Sequence, residues 1–175
     1  MKYLLINAML LLFSTSFAQT QQTDSLHIIN VEKQGSIMAK LFLANDYEGF
    51  VEYTYQPLID LVGGKEKVIQ IIEQAVDKIA IDGFYITNCS VEKPKNIIRH
   101  KNDLQCTIIQ NLEMKTSTGR LVSTSTLIGI SNDNGENWTF IETSGKNLKT
   151  LQSTFKDLSD NLVIPIETKP TFYRD

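Results

Sequence analysis

The side chains in this sequence that are equipped for chemistry are few and scattered. Tyr53, Tyr55 and Tyr85 carry hydroxyls that could donate to a developing oxyanion, and an isomerase-type mechanism would need a general base converging on the same pocket. The least poor carboxylate candidates are Asp46 and Asp103, but Asp46 precedes a helical stretch as its cap and Asp103 opens a strand, so no catalytic residue is nominated. His27 sits at the loose start of a helix and reads as a solvated surface histidine, while His100 falls in a turn. Two cysteines and two distant histidines give no metal-ligand spacing, and no cofactor motif occurs, so neither metal nor cofactor is expected. Gln110 interrupts the apolar face of a strand, where it marks either a bulge or a polar group aimed into a cavity. The candidate ligand-binding residues are therefore Tyr53, Tyr55, Tyr85 and Gln110.

Those residues must be positioned by a β-meander running from Phe84 to Thr143. Its segments are Phe84 to Lys93, Asp103 to Lys115, Arg120 to Ser131 and Asn137 to Thr143, rich in Ile, Val, Thr, Phe and Leu and bounded by Gly, Asn, Asp or Pro. In the second segment Leu104, Cys106, Ile108, Leu112 and Met114 alternate with Gln105, Thr107, Asn111, Glu113 and Lys115, the pattern of a strand with one face covered by helices. Cys89 and Cys106 lie in the first two strands. A turn centred on Ile97 to Arg99 would set them opposite each other, which permits a cross-strand disulfide in an oxidising compartment; two buried free thiols are the other reading.

Helices precede the sheet. Asp24 or Ser25 caps one that continues to about Ala44, with Ile28, Val31, Gly35, Met38, Leu41 and Phe42 on one face. Asp46 caps the next, which Pro57 breaks or restarts, and Gly63-Gly64 ends that piece. Lys65 to Ala80 is the strongest helical pattern, presenting Val68, Ile71, Ile72, Ala75, Val76 and Ile79 inward. Beyond the meander, Asn147 to Leu158 reads as a short helix, Leu162 to Ile166 as an edge strand tolerating Pro165, and Thr168 to Asp175 as tail. The expected fold is α+β, with N-terminal helices packed in the concave face of a four-stranded antiparallel meander, followed by a short C-terminal helix.

Met1 to Ala18 has Lys2, an apolar run from Leu4 to Phe13 and small residues at Ser16 and Ala18, the layout of a signal peptide cleaved after Ala18. That run is too short to span a bilayer, so no transmembrane segment is expected after cleavage. The expected organisation is a signal peptide at 1–18, a single domain at 19–167 and a tail at 168–175, in an exported protein, periplasmic or secreted. With a net charge of −3 and no basic stripe, nucleic acid is not an expected partner.

Two resemblances follow from these residues. Ser131-Asn132-Asp133-Asn134-Gly135-Glu136-Asn137-Trp138 resembles the Asp-box hairpin of sialidases and other β-propellers; a single copy implies a stiff turn and no sialidase activity. The order of helices, Gly63-Gly64 joint, amphipathic helix and long meander, with the Asp46-Tyr47, Tyr53-Thr54-Tyr55, Pro57 and Gly63-Gly64-Lys65 texture, resembles the nuclear transport factor 2-like superfamily, a cystatin-related α+β fold, and its exported bacterial members. The resemblance implies a sheet curled around helices into a cone with a small-molecule pocket. Isomerases of that superfamily take a catalytic carboxylate from a hairpin between the second and third helices, and Leu61-Val62-Gly63-Gly64 leaves no room for one. The expectation is thus an exported binding module for a small apolar molecule or an envelope protein, able to form a homodimer through its sheet. The alternative is a small isomerase, dehydratase or hydrolase acting on an apolar substrate in the same pocket.

Overall fold

The computed structural model describes residues 24–166 and 168–175, so the expected signal peptide lies outside the described residues. The described residues open with a helix over 24–43, here α1, whose buried Val31 and Met38 pack against Leu104, Cys106, Ile108, Leu127 and Phe140 of the sheet. Gly35 sits at the crossing point: a Cβ there would come within 3.2 Å of Val91 Cγ2 and 3.6 Å of Phe140 Cζ, so the helix keeps a residue of poor propensity in order to lie close to the strands.

Asp46 caps the second helix, α2 (Tyr47–Val51), through Oδ1, which accepts from the Gly49 amide at 2.9 Å. A break at 52–55 precedes α3 (Gln56–Val62), with Pro57 in its first turn and Gly63, at φ 105°, closing it in the left-handed region. The break is a structural element in its own right. Tyr53 O accepts from the Phe140 amide at 2.7 Å and the Tyr55 amide donates to Phe140 O at 3.0 Å, so residues 53–55 pair in parallel with the last strand of the meander and cover its edge.

The long amphipathic helix α4 (Lys65–Ile81) forms where its periodicity predicts, but its apolar face is only partly covered. Val68 is buried, whereas Ile71 is 46% exposed. The helix packs on α2 and α3, through Val51, Ile59, Val62, Val68, Ile69 and Ile72, and stands off the sheet, so that space remains beneath it.

The sheet is antiparallel, in the order β1 (Tyr85–Val91), β3 (Asp103–Thr116), β4 (Gly119–Ser131), β5 (Thr139–Glu142), with β2 (Ile98–His100) also on β3 and β6 (Thr171–Arg174) also on β4. The four expected strands are its spine, and the α+β architecture is as the pattern of elements required. Leu127, Gly129 and Phe140 face α1; Ile128, Ile130 and Ile141 alternate to the other face and pack with Leu151 of α5 (Leu148–Thr154) and with Phe155, Leu158 and Leu162. Helices therefore lie on both sides, α1 to α4 in the concave face and α5 with its following turns behind it.

Three expectations fail for identifiable reasons. The hairpin turn falls at Lys101 and Asn102, not Ile97 to Arg99, because Ile98–His100 forms its own strand on β3. The shift pairs Cys89 with Leu112 and Cys106 with Gly129, roughly 20 Å apart along β3 at strand rise, and both cysteines are free. Leu162 to Ile166 is irregular rather than an edge strand, its Leu162 side chain being drawn into the core. The strand on that side comes instead from the expected tail: β6 pairs with the start of β4, and Gly119, whose Cβ would lie 2.1 Å from Tyr173 O, lets the two backbones meet.

Candidate functional site

The space under α4 is a cavity of about 630 Å³. Its floor is the concave face of the sheet, with Gln110, Leu112, Leu127 and Phe140; its roof is α1 and α4, with Met38, Phe42, Val68 and Ile72; and it continues past Glu142 at the end of β5 to Thr150 and Phe155 around α5. Most of this surface is aliphatic or aromatic, because a strand face and two amphipathic helices turn their apolar sides toward each other without meeting. Leu61 and Ile71, 63% and 46% exposed, stand in its lining and put hydrocarbon at the mouth.

Of the four candidate ligand-binding residues, Gln110 lines this cavity and the tyrosines do not. The β3–β4 register is unbroken, so Gln110 is no bulge; the irregularity lies in β1, between Ile86 and Asn88. Its amide is held in place, Nε2 donating to Cys89 Sγ at 3.4 Å and Oε1 accepting from Ser125 Oγ at 3.2 Å. Tyr53 packs into the core beneath α1, and Tyr55 packs edge-on against Phe155 at 5.8 Å between ring centroids. Burial, with the carboxylates of Asp157 and Asp103, raises the Tyr55 phenol above its ordinary value. Tyr85 is 60% exposed and borders a second, smaller cavity of about 190 Å³. Asp46 is engaged as a helix cap, and Asp103 faces His100 across the β2–β3 turn. The one carboxylate in the lining is Glu142, at the rim, where its Oε2 accepts from Ser144 Oγ at 2.6 Å.

Both thiols are buried. Desolvation raises Cys89 despite the hydrogen bond from Gln110, and pushes Cys106, fully enclosed against Gly129 and Val31, up to about 12.

The turn at 131–138 is cross-braced by its own side chains. Ser131 Oγ donates to Asp133 Oδ1 at 2.7 Å and accepts from the Gly135 amide at 2.9 Å, Asp133 also accepts from the Asn137 amide at 2.9 Å, and Trp138 Nε1 donates to Gly135 O at 3.1 Å. Burial pushes the Asp133 carboxyl up, but the hydrogen bonds from Asn137, Ser131 and the Glu136 amide outweigh it and hold the group below its ordinary range. Sequence reasoning missed what this turn touches. Asn30 Nδ2 donates to Gly135 O at 2.6 Å, Gln34 Nε2 to Glu136 O at 2.8 Å, and Gln34 Oε1 accepts from the Trp138 amide at 2.8 Å. His27, expected in solvent, is 7% exposed and stacked on Gly135. The signal was present as spacing, since His27, Asn30 and Gln34 fall on one helical stripe. Burial and then Arg99 push the His27 imidazole below its ordinary value, with Asp24 pulling the other way.

The fold and cavity define a class: an α+β domain whose curled antiparallel sheet and helices enclose an apolar pocket. Comparison with protein-family models, curated proteins and solved structures finds no match for this chain. No helix among the described residues is long and apolar enough to cross a membrane.

Proposed function

We propose that this chain is an exported binding module that holds a small apolar molecule between α4 and the concave face of its sheet. The observation that carries the reading is the cavity itself: about 630 Å³, largely apolar, with one fixed amide at Gln110 to orient a ligand. Ligand sites are typically ~300–1,000 Å³, apolar, with a small number of placed polar groups. An apolar occupant gains dispersion contacts with both apolar walls. Kinship with the nuclear transport factor 2-like superfamily belongs to the same proposal; helices lying in a concave antiparallel sheet support it. Export is supported by the apolar run from Leu4 to Phe13 followed by Ser16 and Ala18.

Thermal unfolding with a panel of apolar small molecules tests the reading. A ligand at one hundred times its dissociation constant should add about 2.7 kcal/mol. Ile72→Trp, which fills the space from the half-buried side of α4, should remove that gain. If no compound raises the unfolding temperature of the wild-type chain, the ligand reading fails.

A further inference from the structure

The two ends of the cavity differ. One is closed by Phe42, whose ring is also a wall of the smaller cavity of about 190 Å³ that Val76, Ile79, Phe84 and Tyr85 line on its far side. Phe42 is held there by tilted ring contacts with Tyr47 at 6.3 Å and Phe50 at 5.8 Å. The other end, past Glu142, is polar, with Ser144, Lys146, Thr150 and Ser153. Lys146 is the single cation in the lining and has no ion-pair partner among the described residues; the Glu142 carboxylate keeps its charge but accepts from Ser144 Oγ and is not paired with Lys146.

The register sets the length of the floor along which an occupant would lie. Leu112 on β3 and Glu142 on β5 are separated by two strand spacings and by four positions along the ladder, because Glu142 pairs with Leu127 and Leu127 with Ile108. That is roughly 16 Å across the sheet, a length suited to a hydrocarbon chain.

We infer that the occupant is an unbranched amphiphile of the fatty-acid type, its carboxylate beside Lys146 and its tail crossing the concave face to Phe42. Phe42 is then the residue that limits chain length, since it is the residue that lines both this cavity and the smaller one bordered by Tyr85. This inference rests on the apolar-ligand reading above. The tail supplies most of the affinity: each methylene desolvated strengthens binding about fourfold, while an exposed Lys–carboxylate pair adds at most about fivefold. Lengthening the tail beyond Phe42 gains nothing unless the ring moves.

Isothermal titration of the full domain with straight-chain saturated acids from octanoic to octadecanoic, and with the matching alcohols, tests this. In the wild-type chain, affinity should climb with length and then level off, with each acid tighter than its alcohol by up to about fivefold. Lys146→Met should abolish the acid–alcohol difference and leave the alcohols unchanged. Phe42→Ala should move the plateau to longer chains; Phe42→Leu, which keeps more of the apolar packing against Tyr47 and Phe50, should move it in the same direction. The inference is overturned if affinity is independent of length, if Lys146→Met preserves the difference, or if both Phe42 variants keep the wild-type plateau; alcohols that still bind then leave the apolar-ligand reading standing. If no acid or alcohol binds while other apolar compounds raise the unfolding temperature, the amphiphile is wrong and the cavity reading survives. Failure of every compound in both experiments removes both.

Discussion

His27 and Gly135 are in direct contact: a Cβ added to Gly135 would lie 2.2 Å from His27 Nδ1. The first helix and the turn at 131–138 are thus fitted to each other at a glycine that also has a φ of +86°, in the left-handed region. Gly135→Ala should destabilise the domain by about 2 kcal/mol or more, through strain at positive φ together with the clash. Part of this cost should vanish in a His27→Ala background, giving a coupling of roughly 1–3 kcal/mol in a double-mutant cycle of urea unfolding. Strict additivity would show that the contact carries no energy.

The same histidine predicts a pH dependence. The pKa of its imidazole in the folded state is lowered from the unfolded value of about 6.5 by burial and by Arg99, with Asp24 opposing them. Above that pH both states are uncharged at His27 and its full contribution is present. As pH falls below it, the unfolded chain takes up the proton first, and stability declines toward the lowered folded pKa. Urea midpoints measured from pH 7.5 to 5 should fall in the wild-type chain and fall less in His27→Gln; equal slopes would rule out His27 as the source.

Cysteine reactivity should be all-or-none. Cys106 is fully enclosed with its thiol pKa near 12, and Cys89 is 5% exposed, so neither presents a thiolate at pH 8. Iodoacetamide should leave the folded domain unmodified over minutes and alkylate both positions in urea, as mass spectrometry would report. A disulfide-linked form in non-reducing gels of folded protein would contradict the register of β1 on β3.

Gln105 should be the most costly polar substitution. Only 1% exposed, it donates through Nε2 to Asp157 O at 2.7 Å and accepts through Oε1 from the Ser159 amide at 2.9 Å, pinning the chain after α5 to β3. Gln105→Leu leaves both backbone partners unsatisfied and should cost about 2–4 kcal/mol; Gln105→Glu keeps the acceptor and loses the donor. A change within 0.5 kcal/mol in thermal unfolding would mean that water takes over both bonds.

Strand and helix identities were legible because they rest on periodicity. Leu104, Cys106, Ile108, Leu112 and Met114 alternating with polar residues along Asp103–Thr116, and the three-and-four spacing across Lys65–Ile81, each have one arrangement that buries the apolar residues. Pro57, Gly63 and Asp46 mark their boundaries by chemistry local to a few residues. Gln110 could be singled out for the same reason, as one polar residue on an otherwise apolar strand face.

Register and inter-element distance were not legible, because both depend on what the chain meets far away in sequence. A three-residue strand at Ile98–His100 moved the hairpin turn and separated Cys89 from Cys106. Pairing with β4 made a strand of Thr171–Arg174, and stacking on Gly135 buried His27 at a helix start that looked solvated. The cavity is the clearest case. Residues along α1 and α4 advertise apolar faces, but whether those faces close on the sheet or stand off it is fixed by how α4 lodges against α2 and α3, and that balance of packing exists only in the assembled fold.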